Sequence, residues 1–220
     1  RNSGELTLNE LSYAVFNDEK AILQPEKAAV NGRRILTNLQ LETSKIPHVE
    51  TISPFYFPIS PDGDTVLVVE NKDTCFSLLR VLNGKESNVK GIIFGEGRTV
   101  VKIFKFIRVY ELEVSDRFLY YGDIDQEGFD IARSLIENFP QYNISLSKML
   151  YHYLLQYNSR PLKSQRNIDY SKSEGIMNSL FEEDRRSILG ILDSAGCIPQ
   201  EALNYDALRR IMDELQYRLS

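Results

Sequence analysis

The sequence predicts an α/β fold, a doubly wound parallel sheet of four strands with helices on its faces, and three observations predict it. The run at 64–70 (DTVLVVE) is apolar, largely β-branched and of strand length, as a strand covered on both faces requires. From there strand and helix patterns alternate in units of about thirty residues, the length of a right-handed parallel crossover unit. The predicted strands at 64–70 and 117–122 also deliver acidic residues to their carboxyl ends, where open α/β sheets bind ligands.

Residues 1–61 read as an α+β segment. Helix-like pieces at 10–16 and 25–31 precede an extended stretch near 35–41, and Pro54, Pro58 and Pro61 with Asp62-Gly63 close it, since prolines at that density end regular structure. The main unit, 62–160, opens with the 64–70 strand. An amphipathic helix follows at 71–82, with Phe76, Leu79 and Leu82 at helical spacing and Asp73 placed to cap its first turn. A second buried strand at 89–94 ends in Gly95-Glu96-Gly97, and 98–108 reads as a second helix. The third strand, 117–122, opens into Asp123-Ile124-Asp125-Gln126-Glu127-Gly128. A helix through 129–139 and a short fourth strand at 144–146 complete the alternation. The last segment, 161–220, is polar through Ser173 and then helical at 176–181, 185–192 and 201–219, with Gly196 after Ala195 suited to a helix stop.

Composition narrows the classes. With 220 residues, 42% hydrophobic and 26% charged, the chain can bury a sizeable core, which excludes disordered and fibrous proteins. No apolar stretch approaches a membrane span and no charged-then-apolar leader opens the chain, so a soluble, cytoplasmic protein is expected. The first residue is Arg1 rather than methionine, which predicts a piece of a longer protein. Cys75 and Cys197 with two histidines show no zinc spacing, and Cys75 beside Phe76 reads as a small core residue. Net charge is −5, spread as −1 over 1–60, −2 over 61–160 and −2 over 161–220, so no segment is a basic arm. Gly95-x-Gly97 lacks the Lys-Ser/Thr of a phosphate loop and the third glycine of a dinucleotide fingerprint, which disfavours ATP or NAD. His152, among tyrosines, fits a helix surface better than a catalytic base, and 182–184 reads as a solvated helix start.

In a sheet of order 2-1-3-4 the first and third strands are neighbours, roughly 4.8 Å apart, and their carboxyl ends flank the point where strand order reverses. Glu70, Asp123 and Asp125 would meet there. Three carboxylates at close quarters repel unless protons or a cation intervene, and Mg2+, which takes one or two carboxylates plus water and phosphate, suits such a set. Carboxylates at strand ends also cap following helices, a role open to Asp123 and Asp125 at the mouth of the 129–139 helix. On spacing alone the two readings stand side by side. Glu127 and Asp130 read as solvated or capping residues.

The phrases Val-Val-Glu-Asn (68–71), Gly-Glu-Gly (95–97) and Gly-Asp-Ile-Asp-Gln-Glu-Gly-Phe-Asp-Ile (122–131) together resemble a Toprim domain, the metal-binding catalytic fold of topoisomerases, bacterial primases and certain nucleases. The Asp-x-Asp followed by Gly128-Phe129 is similar to topoisomerase VI A subunits and the meiotic break-forming proteins. The whole stretch resembles the C-terminal domain of JetD, nuclease subunit of the Wadjet anti-plasmid system, a likeness extended by Val15 to Lys20 and by Gln200-Glu201. The resemblance implies that Glu70 is a metal ligand or proton-transfer group and that Asp123 and Asp125 bind Mg2+ (or Mn2+) in a DNA endonuclease. It also implies DNA and condensin-like SMC subunits as partners, with a homodimer left open. Where type II topoisomerases carry Glu-Gly-Asp-Ser, this chain has Glu70-Asn71-Lys72-Asp73. No tyrosine among twelve stands out as a nucleophile, so hydrolysis is expected over a covalent protein–DNA step. A non-catalytic Toprim-like binding module and a topoisomerase VI A-like subunit are the alternatives.

If 98–108 is helical, Arg98, Lys102 and Lys105 recur at spacings of four and three on one face, with Arg108 at its edge, while Val100, Ile103, Phe104 and Ile107 face the sheet. These cations, with Lys72, are the expected phosphate contacts; an ordinary solvated helix face is the competing reading.

Overall fold

The apolar run at 64–70 becomes strand β2 (Thr65–Val69), in which every residue is buried, as a central strand covered on both faces demands. In the computed structural model, which describes residues 6–26, 28, 30–38, 55–161 and 174–218, β2 pairs in parallel with β3 (Val89–Phe94) on one side and β4 (Arg117–Tyr121) on the other. Strand β5 (Asn143–Leu146) extends the sheet beyond β4, again in parallel.

The expected four-stranded sheet is corrected to five. Phe55–Pro58 forms β1, antiparallel to β3, giving the order β1-β3-β2-β4-β5. Proline tolerates this place because an edge strand leaves one row of backbone groups without a ladder partner. Residues on both sides of position 61 therefore share one sheet. Within the parallel part the order is β3-β2-β4-β5, which sets β2 beside β4.

The crossover helices are α3 (Lys72–Leu82), α4 (Thr99–Ile103) and α5 (Gln126–Asn138). Asn71, not Asp73, caps α3, since its side chain accepts from the amides of Asp73 and Thr74. The buried side of α3 is Thr74, Cys75, Leu78, Val81 and Leu82, so Phe76 and Leu79 lie at its margin. The expected helix at 98–108 is also corrected. Its α-helical part ends at Ile103 and residues Phe104–Tyr110 continue as a 3-10 helix. Phe104 is fully buried, packed against Phe118, Phe139 and Tyr142 at ring-centroid distances of 5.1, 4.9 and 5.5 Å.

Helix α1 (Leu8–Phe16) begins with a capping box of Thr7 and Glu10. Glu10 is 1% exposed and accepts from the Thr7 amide, the Ser77 hydroxyl and the Tyr205 amide, which ties α1 to α3 and to α8 (Tyr205–Arg218). The helix expected at 25–31 is not formed among its described residues. Helix α2 (Gly32–Asn38) instead takes the start of the stretch expected to be extended; the rest of that stretch, and the polar part of 161–173 beyond Pro161, lie outside the described residues.

After α6 (Lys148–Leu154), β6 (Arg160–Pro161) pairs with β7 (Gly196–Cys197), and α7 (Glu182–Asp193) lies between them in sequence. The left-handed residue that stops α7 is Ala195 at φ 51°, not Gly196, which is already in β7. The solvated start expected at 182–184 holds for Glu182 and Glu183, whereas Asp184 is buried against His152 Nδ1 at 2.9 Å. No helix among the described residues is long and apolar enough to cross a membrane.

Candidate functional site

Register brings the acids together. Val69 of β2 stands opposite Tyr121 of β4, so Glu70 and Gly122-Asp123 leave the sheet side by side. The Glu70 amide donates to the Tyr121 carbonyl at 3.2 Å, and the Tyr120 hydroxyl donates to Glu70 Oε2 at 3.0 Å. Gly122 is required between them: a Cβ there would stand 2.5 Å from the Tyr120 hydroxyl oxygen and 2.7 Å from Glu70 Oε2. Gly128 is required for the same reason, since its Cβ would meet the Asp123 carbonyl oxygen at 2.5 Å.

Each of the three expected acids is held by a protein donor. Asp123 Oδ1 accepts the Gln200 amide at 2.9 Å, and Asp125 caps α5 by accepting the Gly128 amide at 2.8 Å. The capping role open to Asp125 is therefore its observed one. Glu70 also takes the backbone amide of Asp123.

A fourth carboxylate lies beyond what the sequence reveals. Ile124 bridges Ile198, and this pairing carries the 3-10 turn Gln200–Ala202 to the strand ends. There Glu201, 2% exposed, accepts Asn71 Nδ2 at 2.7 Å. Asp123, Glu201, Asn71, Lys72, Glu19 and Lys20 line a common cavity of about 300 Å3. Arg160 fixes its outer wall by pairing with Asp18 and Glu19. The Gln200-Glu201 dipeptide is the one signal in the sequence, and it speaks through resemblance alone.

Burial pushes the Glu70 carboxyl up to about 7, with the Asp125 charge adding and the Tyr120 hydrogen bond opposing. Burial and then the charges of Glu70 and Glu201 hold Asp123 well above the usual carboxylate range. Asp125 is raised chiefly by burial, against the Gly128 amide, and Glu201 reaches about 8 through burial and the Glu19 charge. All four end above their ordinary values, so the surrounding donors do not offset desolvation and mutual repulsion. Such a set gains by taking up protons or a cation.

Convergence is nonetheless looser than three acids around one point. Among the described residues, the one group of three or more potential ligands with donor atoms within 4.8 Å of one another is His152, Glu183 and Asp184, not Glu70, Asp123 and Asp125. The α5 N-terminus engages the Asp125 carboxylate through the Gly128 amide, while the Asp125 charge still acts on Glu70. The donor set suits a hydrated hard cation bridged by one or two carboxylates and water rather than a closed cage.

Of the expected cations, Lys72 lines the carboxylate cavity. Arg98 precedes α4 but faces acids, at 3.6 Å from Glu127 and 3.8 Å from Asp130, so those two residues are its partners. Lys102, Lys105 and Arg108 are exposed. Tyr120, Tyr121 and Tyr151, the tyrosines beside the acids, are fully buried, and burial pushes their hydroxyls well up.

A family model described as the C-terminal region of the Wadjet protein JetD matches residues 28–212. No curated protein matches the chain.

Proposed function

We propose, from the premise that the chain belongs to the family of C-terminal domains of the Wadjet protein JetD, that it is a Mg2+-dependent DNA endonuclease of the Toprim class working in anti-plasmid defence. The observation that carries this reading is the emergence of Glu70 and Asp123 side by side from adjacent parallel strands, Glu70 raised by burial and then the Asp125 charge and Asp123 by burial and then the Glu70 charge. Glu70 and Asp123 would hold the cation, Mg2+ or Mn2+, with Asp125 as a further ligand. A cation there supplies charge neutralisation at a scissile phosphate and a lower pKa for an attacking water.

The rest is work for the chain's own groups. Tyr120 orients Glu70 through Oε2, and the Gln200 amide orients Asp123 through Oδ1. A carboxyl that titrates near 7 is poised to exchange a proton at neutral pH. Lys72 offers its charge to a phosphate at the cavity, with Lys102, Lys105 and Arg108 as contacts farther along the duplex. The neighbouring tyrosines are buried and disfavour ionisation, which supports hydrolysis over covalent attack. A net charge of −5 makes tight unaided DNA binding unfavourable, which fits delivery by condensin-like SMC subunits.

One observation favours a second reading, a Toprim-like module that holds DNA or partners without cutting: Glu70, Asp123 and Asp125 do not close into a compact ligand set. The test is cleavage of circular DNA with Mg2+ or Mn2+ by the protein assembled with its partner subunits. Glu70→Gln and Asp123→Asn should each abolish cutting with the fold intact. Unchanged cleavage by both variants eliminates the mechanism, and wild-type protein that neither cuts nor takes up divalent cations supports the module. DNA recovered covalently on a tyrosine supports a topoisomerase-like subunit.

A further inference from the structure

A second cavity, of about 550 Å3, is lined by residues that neighbour those of the first along two segments of the chain. The 3-10 turn Gln200–Ala202 contributes Glu201 to the carboxylate cavity and Ala202 to this one. The segment that follows α1 does the same, with Asn17 lining the second cavity and Glu19 and Lys20 the first.

The chemistry of the two differs sharply. The second cavity is lined by Asn17, Gln156 and Asn158, by Asn204, whose Oδ1 accepts the Ala207 amide, and by the rings of Phe16 and Tyr157, and none of its described lining residues is charged. An uncharged lining gives a phosphate nothing to pair with. Side-chain amides present a donor and an acceptor together, matching the edge of a nucleobase, and aromatic rings stack on its face. Glu201 and Ala202 are consecutive, so both cavities border the same short turn.

We propose that this cavity accepts one unpaired nucleobase, next to the phosphate bound at the carboxylates, a proposal that rests on the nuclease reading for that phosphate. A stacked, paired base presents neither its face nor its pairing edge and does not enter; an extruded or single-stranded base does.

The experiment uses the full chain with Ca2+, a hard cation that takes oxygen ligands, and a short single-stranded oligonucleotide carrying 2-aminopurine, with the same oligonucleotide annealed to its complement as control. Stacking should quench the unpaired probe and leave the paired one bright. Tyr157→Leu and Asn158→Ala, the second at an exposed side chain, should each weaken binding about tenfold or more and remove the quench. Arg186→Ala, at an exposed side chain of α7, should keep it. Quenching that is absent in wild type, equal in the duplex, or unaffected by both cavity substitutions overturns the proposal, and in those cases the cavity is open to a protein segment instead. Quenching that persists in a protein with no cleavage activity upholds the base site while the nuclease reading falls.

Discussion

Tyr120, with no exposed surface, points its hydroxyl 3.0 Å from Glu70 Oε2, and so the hydrogen-bond donor of one strand sets the charge state of the acid at the end of its neighbour. A phenol donating to a carboxylate favours the ionised form, opposing the burial and the Asp125 charge that raise Glu70 to about 7. Tyr120→Phe should therefore raise the Glu70 pKa further and weaken divalent-cation uptake at neutral pH, at a stability cost of about 1 kcal/mol. Carboxyl titration by NMR, with a Mg2+ thermal-shift series, checks it. An unmoved Glu70 titration would count against the assigned role of Tyr120.

Gly122 leaves no room for a side chain. Gly122→Ala would drive a methyl into the Tyr120 hydroxyl and the Glu70 carboxylate at once. The expected stability loss is about 1–3 kcal/mol, the usual range for overpacking. The loss of cation response should be the larger effect, because Glu70 is the group displaced. Gly84→Ala, at a position with φ 70° and open space, serves as a control in which stability falls while cation uptake is kept.

Stability should depend on pH in the direction opposite to that of salt-bridged acids. Glu70 near 7 and Glu201 near 8 sit above their ordinary value of 4.5, so the native chain binds more protons than the unfolded one between those limits. Their contribution is present in full below about 4.5 and is lost as pH rises through 7 and 8. In EDTA the melting temperature should fall from pH 5.5 to pH 8.5, and Asp123→Asn should flatten that fall. Mg2+ should restore stability mainly at the alkaline end; at ten times its dissociation constant the gain is about 1.4 kcal/mol. In a domain of this size that is a few degrees, on the order of 2–4 °C per kcal/mol. A Mg2+ effect of equal size at both ends of the range would sink the idea that the cation replaces protons on these carboxyls.

The parts of this picture that local pattern determines are legible in the sequence. The apolar run of β2 and the apolar stretches that follow Lys90 in β3 and Arg117 in β4 are readable because strand segments covered on both faces exclude polar residues. Glu70, Asp123 and Asp125 follow as the residues at their ends. Phe104–Tyr110 reads as α-helix because Val100, Phe104 and Ile107, the buried positions, are spaced four and three apart and satisfy an α-helical stripe. Strand β1 is hidden by its prolines, which read as breakers until an edge position is available. Glu201 is out of reach for a different reason: it meets Asn71 across 130 positions of sequence, brought there by the Ile124–Ile198 bridge and the Gln200 amide on Asp123. A pairing of that kind leaves no periodic trace in either segment.

The 3-10 segment changes which cations share a face, and with it the expected DNA footprint. At three residues per turn Lys105 and Arg108 eclipse one another, as do Phe106 and Val109, which are 55% and 75% exposed. Lys102 stands three residues before Lys105, in the last turn of α4. The basic stripe is therefore Lys102, Lys105 and Arg108 rather than one led by Arg98, whose guanidinium already faces Glu127 and Asp130. Charge reversal of Lys105 and Arg108 should weaken duplex binding and reduce the salt dependence, the slope of log K against log salt falling by about 0.9 for each phosphate that is no longer neutralised. Melting temperature should hardly move, since both side chains are exposed. Arg98→Ala should have the smaller effect on binding, its exposed ion pairs being worth about 0–1 kcal/mol. A salt slope that answers to Arg98 and ignores Lys105 and Arg108 would return the footprint to the regular helix that the sequence suggests.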